Sequence, residues 1–174
     1  SLIMLKNAHI VIYPINKKSE LNLVCIIKKK LANQIDLNLL VKNEIVSQNK
    51  NLGNLLLTPL EWWPIYVTKK PYKSNYKNLF YLGDAFYTSP PSMAQGASQS
   101  IESAYELFNL FSKDTRDLQN IYFQQRLKRI KQVNNRSILN QYSFHLSNPY
   151  MVKVRNFVLK KITKNEKFLN SYLG

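Results

Sequence analysis

The stretch from Leu82 to Ala104, LGDAFYTSPPSMAQGASQSIESA, decides the fold that we predict for this sequence. A short apolar run before it, Leu79–Leu82, predicts a β-strand that ends at Gly83 and Asp84. Ligands of open α/β sheets bind beside the carboxyl ends of strands. We therefore expect the Asp84 carboxylate to accept hydrogen bonds from a hydroxylated ligand.

The second half of the stretch predicts the start of a helix. A turn with Pro90 and Pro91 leads to small and polar residues at Gln95–Ser98, where we expect the helix to begin. The free N–H groups and the positive dipole end of a helix N-terminus suit an anion or an electron-rich carbonyl. One ligand with hydroxyls at one end and a developing negative charge at the other would fit both features.

Helical periodicity continues through the rest of the chain. Apolar residues at spacings of three and four predict one buried stripe on the first helix: Ile101, Ala104, Tyr105, Phe108 and Phe111. A second helix is predicted from about Asp117 to His145, and its basic stretch Arg126–Arg136 is interpreted as a solvated face. Its apolar side is expected to hold Leu118, Ile121, Tyr122, Leu127, Ile130 and Val133. Asn148 and Pro149 begin a third helix that extends to about Thr163.

Strand patterns dominate the first third of the sequence. His9–Tyr13 and Leu21–Ile27, joined by a polar turn, predict a hairpin. Residues 34–58 predict one or two short helices, and the aromatic run Trp62–Val67, which contains Pro64, predicts an edge strand.

Composition limits the classes of function. The chain has 174 residues, 45% of them hydrophobic, and a formal net charge of +15. Cys25 is the only cysteine, which excludes an internal disulfide and fits a reducing cytoplasm. His9 and His145 have no partners at metal-ligand spacing, so we expect no metal site. Scattered lysines favour a compositional bias over a nucleic-acid partner, and the basic and apolar tail from Lys153 to Lys167 leaves open a peripheral contact with the inner face of the membrane.

The stretch from Gly83 to Ala104 resembles the C-terminal flavin motif of FAD-dependent aromatic-ring hydroxylases, a family of flavoprotein monooxygenases. That motif is commonly written G-D-A-A-H-x-x-x-P-x-x-G-Q-G-x-N-x-x-x-E-D-A. The matching positions are Gly83, Asp84, Ala85, Pro91, Gln95, Gly96, Glu102 and Ala104. The sequence is similar both to the para-hydroxybenzoate and salicylate hydroxylases and to the hydroxylases of ubiquinone biosynthesis, and residues 5–160 can be laid on the family pattern.

The resemblance implies a C-terminal part of the flavin hydroxylase fold, an α/β fold represented here by an α+β fragment. Residues 1–75 would belong to the substrate-binding β-sheet domain, 76–112 would be the flavin-facing segment, and 113–174 the C-terminal helices. The reaction implied is hydroxylation of a small aromatic or quinone-precursor substrate with NADH or NADPH and O2, and no catalytic side chain is required.

The same resemblance implies roles for the motif residues. Asp84, with Gly83 beside it, would bind the ribityl chain of FAD, and Pro91 would pack near the flavin ring. Gln95, Gly96, Ala97 and Ser98 would place backbone amides at the carbonyl edge of that ring. Tyr13 and Trp63 are candidates for the substrate side.

This sequence departs from the family motif at several positions. Phe86 and Tyr87 replace Ala-His, Ser98 and Ser103 replace Asn and Asp, and Ala94 replaces the first glycine of Gly-Gln-Gly. Ala94 would be strained if the backbone there requires a positive φ. Substrate and subfamily are therefore left open.

The dinucleotide-binding half of such an enzyme is expected elsewhere. The four glycines of the chain cannot form G-x-G-x-x-G, and the sequence lacks an initiator methionine, so we expect a missing N-terminal half of the same polypeptide. Without that half the chain would expose apolar faces. Two alternatives remain: an FAD-dependent oxidoreductase of the same fold acting on a lipid-like substrate, and a basic module that binds nucleic acid or membranes.

Overall fold

The protein combines helices with an antiparallel sheet, an architecture compatible with an α+β protein. A computed structural model describes residues 1–18, 20–32, 36–48, 61–113 and 115–173. The strands in these ranges are β1 (Leu2–Leu5), β2 (Ala8–Ile15) and β3 (Glu20–Ile27). The helices are α1 (Lys29–Ala32), α2 (Leu37–Gln48), α3 (Gly83–Phe86), α4 (Gly96–Ser112), α5 (Leu118–Phe144), α6 (Pro149–Ile162) and α7 (Glu166–Leu173).

The chain divides into two units. Unit 1 comprises Ser1–Trp62 and Ser143–Gly174, and unit 2 comprises Trp63–Tyr142. Unit 1 therefore contains the sheet with α1, α2, α6 and α7, and unit 2 contains α3, α4 and nearly all of α5.

The predicted hairpin is confirmed as β2 and β3, which pair antiparallel with Ile10 opposite Cys25. A 3₁₀ turn at Asn16–Lys18 joins them. β1 pairs antiparallel with β2 and was not predicted. Its four residues are too short for a recognisable alternation pattern, so pairing with β2 is what defines it as a strand.

One face of this sheet supports the apolar core of unit 1. Ile10 and Val41 are buried, and Val41 comes from α2. The half-buried residues around them are Ile3, Leu5, Ile12, Leu23 and Cys25. These strand positions alternate along the chain, as a sheet with one covered face requires. Burial also raises the pKa of the Cys25 thiol to about 11.

The only two histidines meet inside unit 1. The Nδ1 atom of His9, on β2, lies 2.7 Å from Nε2 of His145, and the edge of the Phe144 ring packs against His9. His9 is 1% exposed and His145 3%. Burial, with a smaller contribution from His145, lowers the pKa of His9 to about 4. Burial, then the nearby Lys28 charge, lowers the pKa of His145. Burial therefore favours the neutral form of both rings.

Two predicted strands are absent. The range 61–82, which is fully described, contains no strand, so the predictions for Trp62–Val67 and Leu79–Leu82 are wrong. Instead, the Thr68 amide donates a hydrogen bond to the Thr88 carbonyl, and the Thr88 amide donates one to the Thr68 hydroxyl. The Tyr81 carbonyl accepts a hydrogen bond from the Tyr122 hydroxyl. These segments run against other parts of unit 2 without a ladder partner, which β-branched and aromatic composition alone cannot supply.

The three long helices begin and end near their predicted boundaries. α4 starts at Gly96, and α5 spans Leu118–Phe144. Asn148 caps α6 by accepting hydrogen bonds from the Tyr150 and Met151 amides. A helix is also present at α2, within the predicted range 34–58, although 34, 35 and 49–58 lie outside the described residues. α7 was not predicted.

Candidate functional site

The turn that begins the flavin-like motif is built on a glycine. Gly83 has φ +50°, and a Cβ atom there would collide with the Ser100 hydroxyl oxygen on α4. Only a residue without a side chain fits both the backbone and the space. This contact holds the turn α3 directly against the second turn of α4. Asp84, the next residue, is consequently fixed near the N-terminal end of α4.

The Asp84 side chain is exposed, whereas its own backbone is held by neighbours. The Thr88 hydroxyl donates to the Asp84 carbonyl oxygen, 3.2 Å away. Phe86 anchors the turn from below, because it is 2% exposed and packs edge-on against Phe123. The turn thus combines a buried aromatic anchor with an exposed carboxylate.

A second tight turn lies between the two halves of the motif. Pro91–Met93 forms one turn of 3₁₀ helix, and Ala94 closes it with φ 51° and ψ 33°. This is the left-handed region that glycine occupies without strain. The Ser92 hydroxyl donates to the Ser137 carbonyl on α5 at 2.5 Å, which fixes the turn to unit 2.

The N-terminus of α4 presents its backbone to solvent. Gly96, Ala97 and Ser98 are exposed, and the side chain of Gln95 does not cap the helix. A Cβ atom at Gly96 would meet no atom within 4 Å, so a flat ligand could approach the backbone there. Amide donors and the helix dipole at this end favour a ligand with negative charge or carbonyl oxygens.

Unit 2 therefore brings together the motif residues predicted from the sequence. Gly83 is buried beneath the turn and Gln95 is half-buried. The remaining predicted residues are on the exposed surface: Asp84, Pro91, Gly96, Ala97 and Ser98. The arrangement offers one carboxylate acceptor and a group of amide donors, which can bind and orient a ligand.

The face of α4 that meets α5 is polar, because it is organised around a buried arginine. Arg126 is fully buried, and its Nη2 atom lies 2.7 Å from the Gln99 amide oxygen. Its Nη1 atom lies 3.3 Å from a carboxylate oxygen of Glu106, and Arg129 binds Glu102 at 2.8 Å. The interpretation of Arg126–Arg136 as a wholly solvated face is thus wrong at Arg126. The burial of Arg126 could have been predicted from its spacing, because it lies four residues from Tyr122 and four from Ile130, which are both buried.

The apolar stripe of α4 faces outward, contrary to the prediction of burial. Ile101 is 72% exposed, and Phe108 is 65% exposed. The other members, Ala104, Tyr105 and Phe111, are exposed as well. The ion pairs with α5 occupy the opposite side of the helix, and the stripe stays exposed although the Phe80 ring meets the Phe111 ring at a centroid distance of 5.6 Å. On α5, by contrast, Tyr122, Ile130 and Val133 are buried as predicted, and Leu118, Ile121 and Leu127 are half-buried.

An open cleft of about 600 Å³ adjoins the motif through Thr88. Its remaining lining is Tyr66, Val67, Thr68, Lys69, Lys70, Pro71 and Tyr72. Backbone hydrogen bonds join the segment that lines the cleft to the motif. The Tyr72 amide donates to the Phe86 carbonyl, and the Thr68 amide donates to the Thr88 carbonyl. No sequence pattern indicated this cleft, because Lys69 and Lys70 lie in a polar stretch whose composition is that of an ordinary loop.

The two residues predicted on the substrate side lie in different units. Tyr13 is on β2 in unit 1, is 44% exposed and accepts a hydrogen bond from Asn22. Trp63 is the first residue of unit 2 and is 69% exposed. Neither ring is buried in a core, so both remain accessible candidates.

Comparison with known proteins adds no assignment to this geometry. No protein-family model matches the chain, and a search of curated proteins finds no match. Within the described residues, His, Cys, Asp and Glu side chains do not gather in groups of three that could hold a metal ion. None of the described helices combines the length and apolar character needed to cross a bilayer.

Proposed function

We propose that this chain is the flavin-facing, C-terminal part of an FAD-dependent monooxygenase that hydroxylates an aromatic substrate with NAD(P)H and O2. The observation that carries the proposal is the backbone at two motif positions. Gly83 and Ala94 both have positive φ, and the family motif has glycine at both. The chain thus follows a path for which the motif's glycines are suited, even where this sequence has lost one.

The exposed residues of the motif fit the flavin end of FAD. The Asp84 carboxylate would accept hydrogen bonds from ribityl hydroxyls, and Pro91 would pack beside the ring. The amides of Gly96–Ser98 would donate to the carbonyl edge, where the helix dipole favours negative charge. When bound, FAD supplies the redox and oxygen chemistry, and the side chains of this segment bind and orient it.

The ADP end of the cofactor requires another segment of polypeptide. The glycines of this chain stand at 53, 83, 96 and 174, a spacing that cannot form the dinucleotide fingerprint. The exposed stripe of α4 supports such a partner, because an apolar helix face of four large side chains is normally covered by protein. We propose that the missing N-terminal half of the same polypeptide supplies both the binding site for the ADP end and the surface that covers the stripe of α4.

The cleft beside Thr88 favours an aromatic acid as substrate. Tyr66 and Tyr72 offer apolar ring surface, and Lys69 and Lys70 offer positive charge. A planar ring with a carboxylate would use both features, whereas a neutral lipid would leave the lysine charges unmatched. Tyr13 and Trp63 stay as predicted contacts on the substrate side.

Flavin content tests the cofactor. In a polypeptide that joins this chain to its dinucleotide-binding half, we expect FAD in stoichiometric amount by absorbance. Asp84→Ala should weaken FAD binding at least about tenfold, the effect of losing one or two hydrogen bonds to a charged group. Asp117→Ala, in the turn before α5, is the matched control and should retain FAD. A wild-type protein without flavin refutes the proposal, and full occupancy in Asp84→Ala refutes the role of that carboxylate.

Turnover tests the reaction. Aromatic acids should stimulate NAD(P)H oxidation and yield a hydroxylated product, and Lys69→Gln with Lys70→Gln should raise KM without loss of bound FAD. Stimulation by a neutral lipid-like substrate alone would instead support the alternative oxidoreductase.

A further inference from the structure

Helix α6 exposes a row of large apolar side chains. This outward stripe consists of Tyr150, Met151, Val154, Phe157 and Val158, whose exposed fractions range from 45% to 78%. None of the residues of α6, all of which the structure describes, is buried. The sequence left open whether this helix packs within the protein or lies on lipid, and its apolar side is the side turned to solvent.

The opposite side of α6 is the one that meets the protein. Val152, Leu159 and Ile162 are half-buried, and they fall on one face at helical spacing. The Arg155 guanidinium, also half-buried, donates to the Ser143 carbonyl oxygen at 3.1 Å. The helix is therefore seated on unit 1 in an orientation that points its outward stripe away from it.

Basic residues border the stripe. From Ser143 to Gly174 the sequence has six lysines or arginines and one acidic residue, Glu166. Lys153 and Lys160 lie along one flank of the stripe at helical spacing. The Lys161 ammonium lies 4.7 Å from the centre of the Phe157 ring, so its charge sits directly over the apolar surface. Lysines in such positions extend their charge toward headgroups while their stems cover apolar surface.

The charge of α6 distinguishes its stripe from the exposed stripe of α4. The α4 helix carries Glu102 and Glu106 and has no lysine or arginine. An anionic surface would attract the lysines of α6, whereas α4 has no basic residue for it to attract. Of the two stripes, α6 alone matches a surface that is both apolar and negatively charged.

We propose that α6 is an interfacial anchor that lies in the plane of an anionic lipid bilayer, with the outward stripe at the boundary between headgroups and acyl chains. Apolar side chains on one face and lysines beside them are the two features by which helices bind such surfaces. Each basic residue near the surface adds attraction to anionic lipid, and this attraction weakens as salt rises. The proposal rests on unit 1 and is independent of flavin binding.

Vesicle flotation tests the anchor. The protein should float with phosphatidylcholine vesicles that contain phosphatidylglycerol and remain unbound with phosphatidylcholine alone. Val154→Ser with Phe157→Ser should reduce the partition coefficient at least about tenfold, because two apolar side chains no longer enter the interface. Lys153→Gln with Lys160→Gln should reduce it about fivefold for each lysine. The control, Tyr105→Ser with Phe108→Ser on α4, should bind as wild type does.

Depth quenching tests the orientation of the helix. A tryptophan placed by Tyr150→Trp should be quenched by lipids brominated near the headgroup, and one placed by Phe108→Trp should not. Failure of the wild-type protein to float with anionic vesicles overturns the proposal. If Val154→Ser with Phe157→Ser floats as well as the wild-type protein, insertion of the apolar stripe is overturned and only electrostatic attraction is supported. A dimer that Val154→Ser with Phe157→Ser dissociates, without vesicle binding, would assign the stripe to a second copy.

Discussion

Acidification should destabilise the fold through the buried histidine pair. His9 and His145 are neutral in the folded chain, with the pKa of His9 lowered from 6.5 to about 4. The unfolded chain binds more protons than the folded chain between these values. The free energy of unfolding should therefore fall as the pH is lowered from about 6.5 to about 4, and this contribution should level off below.

The magnitude follows from the width of that interval. Lowering the pKa of His9 from 6.5 to about 4 corresponds to about 3 kcal/mol for His9 alone. His145 acts in the same direction, since its pKa is also lowered. Nearby Lys28 disfavours a second positive charge at the pair. A loss of about 3 kcal/mol is a large part of the stability of a typical domain.

Urea unfolding followed by circular dichroism at several pH values measures this effect. The control is His9→Gln with His145→Gln, which can keep a hydrogen bond between the two side chains but cannot be protonated. Carboxylates titrate in both proteins, so the difference between the two pH profiles isolates the histidines, which are the only two in the chain. Identical profiles, or imidazole NMR signals that titrate near pH 6.5 in the folded protein, would refute the reasoning.

Two further pairs of substitutions, each a test with its control, probe the backbone and the ion pairs around the candidate site. Ala94→Gly should raise the free energy of unfolding by about 1 kcal/mol in thermal or urea unfolding, because Ala94 has φ 51°. The control Ala97→Gly, in the first turn of α4, should lower the free energy of unfolding by at most about 1 kcal/mol. A destabilised Ala94→Gly would mean that the turn does not need a left-handed residue. Arg126→Gln should cost about 3–5 kcal/mol because it leaves Glu106 without its buried partner, whereas Arg129→Gln, which is partly exposed, should cost about 1 kcal/mol or less. Equal losses in the two arginine variants would contradict the difference in burial.

Local signals predicted the three long helices and the hairpin well. Asn148 followed by Pro149 marks the start of α6, and the alternation of Ile10 and Ile12 marks β2. The predicted strand at Leu79–Leu82 failed because a strand exists only with a partner, and the backbone there pairs with no strand in the described range.

For the candidate site, the motif indicated residues that unit 2 brings together, but not their surroundings. The motif spacing indicated Asp84 and Gly96, and it correctly identified Ala94 as a position that would be strained if φ were positive. It did not indicate that Gly83 touches Ser100, because that contact joins the turn α3 to the side of α4. The cleft lined by Lys69 and Lys70 arises from chain packing in the same way.

By itself, the sequence determined where helices and turns begin, because caps, prolines and periodic apolar residues act over three or four neighbours. Which face of each helix is covered was decided by tertiary structure alone. On α4 the buried Arg126 attracts the polar side inward and leaves Phe108 in solvent, and on α6 the same kind of apolar row also faces outward. Periodicity reports that a helix has an apolar side, but burial depends on what the rest of the chain places against it.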